Sequence, residues 1–304
     1  MNKIGQHWGY WRGTGKETDI EVLLDVTSRV GADVLEVGPV LILGMSKQER
    51  REFRRAAQDR GLSLSFNGGP DAATDISSDD PAVRRQGIEY HRKVLSAIAE
   101  MGEDICWSGI VYSYGPRRPA KNLDHAERRR ILDVSIESMK KIMPVAEDLG
   151  ITYGYEIVNR FEHFLLNTTA EGVAYCEAVG SPNAKILPDV FHMNIEENNI
   201  AEAIVYAGER GRIAHMHMSE SNRRVPGIGA TNIDWPSVFS ALKKVDYKGC
   251  ITMEPFVVVN NWPSAINICV WRDLADGDIE SLVRDAAKGT DFIRKMLAEA
   301  ASGA

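Results

Sequence analysis

Eight short runs of β-branched and apolar residues recur along the chain, each followed by a longer segment with helical spacing. This alternation restricts the fold more than any other feature of the sequence. The runs are Ile4 to Tyr10, Val34 to Val37, Leu62 to Phe66, Asp104 to Trp107, Thr152 to Val158, Lys185 to Asp189, Ile213 to Met218 and Cys250 to Glu254. Helix starts are readable between them. Ser46 followed by Glu49 forms a capping box for a helix running to about Arg60, and Asp80-Pro81 fits the N-cap and first turn of one ending near Met101-Gly102. Asn167 is expected to cap Thr168 to Val179, Asp234 to cap the helix through Ala241 to Val245, and Ile279 to about Ala300 to close the chain. Eight strand–helix units predict a parallel sheet closed into a (β/α)8 TIM barrel with a C-terminal helix, whereas an open doubly wound sheet usually stops at about five to seven strands. No Gly-, Ser- or Pro-rich linker divides the chain, so residues 1–304 are read as a single domain. Two prolines fit poorly: Pro144 should kink its helix, and Pro188, which has no amide for the ladder, predicts a short or bulged sixth strand.

Composition removes several function classes. With 36 Lys and Arg against 43 Asp and Glu the net charge is −7, so the basic footprint of a nucleic-acid or anionic-lipid binder is missing. The longest apolar stretches, such as Val37 to Leu43, are far too short to span a bilayer, and the N-terminus has no signal-peptide pattern. A cytoplasmic location is expected. Cys106, Cys176, Cys250 and Cys269 are scattered without a Cys-x-x-Cys pair and read as small hydrophobes, not disulfides or a zinc cluster.

In a barrel of this kind chemistry sits where strands end and the following loops begin. The last four runs end Tyr155-Glu156, Pro188-Asp189, His215-Met216-His217 and Met253-Glu254. The separations are 33 residues from 156 to 189, 28 from 189 to 217 and 37 from 217 to 254, each about one strand–helix unit. One acid at a strand end usually caps a helix or holds a loop. Four ionisable groups on successive strands instead aim Glu156, Asp189, His217 and Glu254 at one point above the barrel mouth. Three carboxylates converging there repel one another and should show raised pKa values unless a divalent cation joins them. Oxygen ligands with one imidazole suit Mn²⁺, Mg²⁺ or Co²⁺.

Other polar residues follow the same strand ends: Glu162, His192 and Arg223. Glu196 and Glu197 are expected to complement a helix dipole, Glu220 to hold its loop, His163 and His125 to be solvated, and His91 to lie in mid-helix. His215 shares a face with His217, which leaves it either a supporting partner or a satisfied interior histidine. Gly227-x-Gly229 reads as a flexible turn, since it lacks the third glycine of a dinucleotide loop. Trp8, Tyr10, Trp11, Trp107, Tyr112, Tyr114, Phe256, Trp262 and Trp271 gather after strands one, four and eight, which suggests pocket walls for a hydroxyl-bearing carbon skeleton.

The strings Glu156-Ile157-Val158-Asn159-Arg160-Phe161-Glu162, Asp189-Val190-Phe191-His192-Met193-Asn194, His217-Met218-Ser219-Glu220-Ser221-Asn222-Arg223, Met253-Glu254-Pro255-Phe256 and Val270-Trp271-Arg272-Asp273 resemble the ketose 3-epimerases. These are the D-tagatose, D-allulose and L-ribulose 3-epimerases within the xylose-isomerase-like barrels. The resemblance covers almost the whole chain. It implies a Mn²⁺ or Co²⁺ site held by Glu156, Asp189, His217 and Glu254. It also implies contacts from Glu162, His192 and Arg223 to the C1–C3 oxygens of a ketohexose or ketopentose. The segment carrying Trp271-Arg272-Asp273 is implied in subunit contact in a homodimer or homotetramer. His7, the loop Phe66-Asn67-Gly68-Gly69-Pro70, and Pro188 and Val190 beside Asp189 depart from the family pattern and bear on substrate identity.

The reaction so implied is metal-dependent epimerisation of a free ketose at C3 through a cis-enediolate. Glu156 and Glu254 act as the acid/base pair on opposite faces. An aldose–ketose isomerase, moving hydrogen between C1 and C2, and a sugar or cyclitol dehydratase share the metal and enediol logic. A barrel endonuclease fits the acidic balance poorly, and a non-catalytic sugar-binding module has no need of two titratable carboxylates beside a metal.

Overall fold

A computed structural model describes residues 2–102, 106–260 and 262–302. Eight strands form: β1 (Ile4–His7), β2 (Val34–Val37), β3 (Ser63–Asn67), β4 (Cys106–Gly109), β5 (Thr152–Ile157), β6 (Ala184–Pro188), β7 (Met216–Met218) and β8 (Ile251–Met253). They pair in parallel in the order β6-β5-β4-β3-β2-β1-β8-β7, and the two ends meet through the bridges Ile186–Ile213 and Asp189–His217. The expected TIM barrel is the observed one. The strands are mostly shorter than their apolar runs, because a residue beyond the ladder turns into the loop that carries function. The first run stops at His7 and continues as a 3-10 turn over Trp8–Thr14. Asp104, the expected start of the fourth strand, lies outside the described residues.

The helices are α1 (Ile20–Arg29), the short α2 (Pro39–Leu43), α3 (Lys47–Asp59), α4 (Pro81–Ala99), α5 (His125–Asp148), α6 (Thr169–Val179), α7 (Val190–Glu196), α8 (Ile200–Gly208), α9 (Trp235–Lys244) and α10 (Ile279–Ser302). Ser46 and Glu49 make the capping box of α3, and Asp80 and Asp234 cap α4 and α9 as expected. α6 differs by one residue: Thr168 is its cap, in a capping box with Glu171. Asn167 instead donates to the carbonyls of Val158 and His163. α5 is continuous through Pro144, which sits on the exposed face. The Lys140 carbonyl that proline cannot bond lies on the same solvent-facing side. Pro188 ends β6, and the seam from β6 to β7 is reduced to two bridges, in line with its missing donor.

The apolar core lies between strands and helices. Leu35, Phe66, Tyr153 and Ile186 are fully buried, and burying a Leu, Ile or Phe side chain in this way stabilises by roughly 1.5–3 kcal/mol. The barrel interior is different, since Glu36, Ser108, His215, His217 and Thr252 are all buried inside it. Gly5 makes room for this column: a Cβ there would fall 2.1 Å from Thr252 Oγ1. Polar groups withdrawn from water must be hydrogen-bonded to one another, and that network positions the site above.

Candidate active site

The four charged residues of β5 to β8 do meet. Glu156 is the penultimate residue of β5, Asp189 the first beyond β6, His217 the centre of β7 and Glu254 the first beyond β8. Each offers one ligand atom, all within 4.8 Å of one another, and all four residues are buried. His217 Nδ1 lies 3.6 Å from Glu156 Oε1 and 3.4 Å from Glu254 Oε2. Among the described residues it is a buried nitrogen without a hydrogen-bond partner. The chemistry of this donor set, three carboxylates and one imidazole nitrogen, fits a divalent cation bound by oxygen and nitrogen.

Beneath the site stands Glu36 of β2, a residue that strand-end reasoning missed. Its Oε2 accepts from His217 Nε2 at 2.9 Å, which leaves Nδ1 facing the carboxylates. Its Oε1 lies 3.2 Å from His215 Nε2, which is also 2.9 Å from Thr252 Oγ1. His215 is therefore a supporting partner. The available signal was a glutamate in the middle of the otherwise apolar run Val34-Leu35-Glu36-Val37. A buried charge in a central strand requires a partner.

Glu162, His192 and Arg223 gather on one side. Arg223 Nη1 reaches Asp189 Oδ2 and Glu254 Oε2, both at 3.1 Å, and its Nη2 lies 3.3 Å from Glu162 Oε1. Its guanidinium stacks 3.7 Å over the Phe191 ring. Arg223 takes a left-handed backbone, φ 65°, which turns its side chain back over the mouth. Asn159, also missed, donates its backbone N–H to His192 Nδ1 at 3.1 Å. His192 Nε2 lies 3.2 Å from Arg223 Nη2 and 3.5 Å from Asp189 Oδ2.

Electrostatics correct the expectation of three raised carboxylates. Burial, reinforced by Glu254, pushes Glu156 up, and burial pushes Asp189 up against the opposing Arg223. Glu254 goes the other way: burial opposes its ionisation, but His217, His7 and Arg223 outweigh burial and hold it well below the usual range. Burial raises Glu162 to about 7 despite Arg223. It lowers His7 to about 4 even though Glu254 opposes the change.

Several surrounding residues are placed differently from expectation. Of the aromatic set, Trp8 and Phe256 line the cavity over the site, about 320 Å³, with Trp262 packed on Phe256 at 5.3 Å. Tyr10, Trp11, Trp107 and Tyr112 are core residues, while Trp271 is 69% exposed. His163 is buried rather than solvated, accepting from the Leu165 amide at 3.2 Å. Glu196 pairs with Arg160 at 2.6 Å, and Glu197 accepts from the Thr169 amide at the start of α6. Glu220 holds its loop through the Gly227 amide and the Trp235 indole. Gly227 and Gly229 take positive φ, as a turn requires. No helix among the described residues is long and apolar enough to cross a membrane.

Comparison with known proteins agrees with this geometry. A family model described as xylose isomerase-like TIM barrel matches residues 24–276. The chain is 36% identical to the D-psicose 3-epimerase of Agrobacterium fabrum, over 97% of this chain and 99% of that one. It is 33% identical to the L-ribulose 3-epimerase of a Methylomonas species, over 96% and 97%. The crystal structure of a D-psicose 3-epimerase in the presence of D-fructose matches with a TM-score of 0.87 at 35% identity, over 97% and 99% of the two chains. The barrel, the convergent acids and this full-length similarity together make the chain a member of the ketose 3-epimerase family of isomerases, within the xylose isomerase-like TIM barrels.

Proposed function

We propose that the chain, acting as one barrel domain over residues 1–304, inverts C3 of a free ketose through a cis-enediolate, with Glu156 and Glu254 as the acid/base pair. One observation carries this reading: each of the two carboxylates divides its oxygens. Glu156 Oε1 and Glu254 Oε2 face His217 Nδ1, while Glu156 Oε2 turns to Asn67 Nδ2 at 3.5 Å and Glu254 Oε1 to His7 Nε2 at 3.6 Å. Each acid thus keeps an oxygen for proton transfer beside the one directed at the shared point. The C3 hydrogen is acidified by the neighbouring C2 carbonyl. One carboxylate removes it, and the other, protonated, returns a proton on the opposite face. Glu162, His192 and Arg223 hold the C1–C3 oxygens. Glu156, Asp189, His217 and Glu254 would hold Mn²⁺, with Co²⁺ or Mg²⁺ as substitutes. Such an ion supplies Lewis-acid stabilisation of the negative charge that develops on the substrate.

The free cysteines support a reducing, cytoplasmic setting. Exposed Phe161, Ile266 and Trp271 near the Trp271-Arg272-Asp273 segment support a homodimer or homotetramer. The test is a panel of ketohexoses and ketopentoses with Mn²⁺ or Co²⁺ added after chelation, run in D₂O. Deuterium at C3 with an epimeric product is expected. Deuterium at C1 with an aldose product would replace this reading with an aldose–ketose isomerase, and an absorbing enone-type product with a dehydratase.

A further inference from the structure

The cavity over the site has a second charged wall. The 3-10 turn Trp8–Thr14 lays the Arg12 guanidinium between two indoles, its central carbon 4.2 Å from the Trp8 ring centroid and 4.7 Å from that of Trp262. Arg12, Trp8 and His7 line the same cavity as Glu156, Glu162 and Glu254. Stacking on both faces leaves the N–H donors directed outward in the guanidinium plane. Glu17 and Glu254 act on Arg12 through space only, and among the described residues neither hydrogen-bonds to it. His7 stands beside it with a fixed tautomer. Its Nδ1 accepts the Gly9 amide at 3.0 Å, so Nε2 carries the proton that faces the cavity. Gly9 is required for this approach, since a Cβ there would lie 2.7 Å from Phe256 and 2.8 Å from His7 Nδ1.

We propose that Arg12 forms the distal end of the substrate pocket and binds an anionic group, carboxylate or phosphate, carried at the end of the ketose remote from C3. The proposal rests on the C3-epimerase reading and changes its substrate from an unmodified ketose to one that carries a terminal anion. A guanidinium half-buried between two indoles gains from a counter-charge as well as from an acceptor. A planar or tetrahedral oxyanion matches its donor fork with two parallel hydrogen bonds and neutralises it. A hydroxyl group takes one N–H and leaves the charge uncompensated. The metal-side wall offers no equivalent, because Arg223 is already engaged by Asp189, Glu254 and Glu162.

The experiment uses the Mn²⁺-loaded full chain and one ketohexose in three forms, with C6 as alcohol, phosphate ester or carboxylate. At least one anionic form is expected to exceed the alcohol about tenfold or more in kcat/KM, mainly through KM, the range of a charge-assisted hydrogen-bonded pair. Whether the phosphate or the carboxylate gains identifies the source of the anion. Arg12→Leu should collapse that ratio towards one, and Arg12→Lys should restore part of it. A merely structural Arg12 would lower all three substrates together and leave the ratio unmoved. That result, or an alcohol form used as well as both anions by the unaltered chain, overturns the proposal while leaving C3 epimerisation standing. If none of the three forms exchanges its C3 hydrogen, the epimerase reading itself fails. Binding of inorganic phosphate, followed by indole fluorescence, then decides: loss of binding in Arg12→Leu supports the subsite, and equal binding in both proteins ends it.

Discussion

The two arcs of the barrel do different work at the same point. β5 to β8 deliver the charged groups Glu156, Asp189, His217 and Glu254. β1 to β4 deliver groups that hold them: His7 beside Glu254, Glu36 under His217, and Asn67 between Ser108 Oγ at 3.2 Å and Glu156 Oε2 at 3.5 Å. Charge that can bind a cation lies on one arc, and the hydrogen bonds that orient it lie on the other. The division reduces repulsion, because only Glu36 adds a further acid, and it is shared between two histidines.

The contrast can be broken most severely on the charged arc. Chelation of the divalent ion should remove measurable turnover, with recovery on adding Mn²⁺ or Co²⁺ and a rise in Tm on reloading, as binding to the folded state requires. Recovery without any ion would dissolve the distinction between the arcs. Glu156→Gln or Glu254→Gln should each lower kcat by about 10³-fold or more, the upper range for acid–base groups. Near-normal epimerisation by either variant would sink the two-base scheme.

The orienting arc should show smaller effects of another kind. Glu36→Leu is expected to weaken metal binding about 10- to 100-fold in a chelator competition, with Glu36→Gln recovering part because an acceptor remains. Unchanged affinity in Glu36→Leu would mean that His217 needs no support from β2. Smaller still is a pH effect in the metal-free protein. Glu162 is raised by burial from 4.5 to about 7, so the folded state holds its proton over that interval and the unfolded chain does not. Stability should therefore fall as pH rises from 4.5 to about 7. Glu162→Gln should flatten that part of the profile, leaving the contribution of Asp189, whose carboxyl is raised in the same direction. A profile identical to that of the unaltered chain would show that Glu162 titrates normally.

The same contrast explains what was legible beforehand. Acids and a histidine at regular spacing on successive strand ends stand out in a list of residues, because the barrel repeats once per strand–helix unit and converts spacing into convergence. Glu36 has no such spacing relative to His217, and its partner lies 181 residues away. Asn67 and His7 carry no charge pattern at all, and the 3-10 turn that sets Arg12 between Trp8 and Trp262 interrupts what reads as a strand. Buried His163 was missed for a related reason: a polar residue in a loop reads as solvated unless its packing is known. Glu156 and Glu254 are the same residue type near the ends of their strands, yet their different neighbours give them opposite pKa shifts.

Order along the chain therefore determined the barrel, most of its helix caps and the identity of the convergent ionisable groups, since these follow from local periodicity and one repeating unit. Three-dimensional packing alone decided which tautomer His217 presents, which carboxylate ionises readily and what lines the far wall of the cavity. Those properties depend on desolvation and hydrogen bonding between residues brought together by closure of the barrel, and no local pattern encodes such distances.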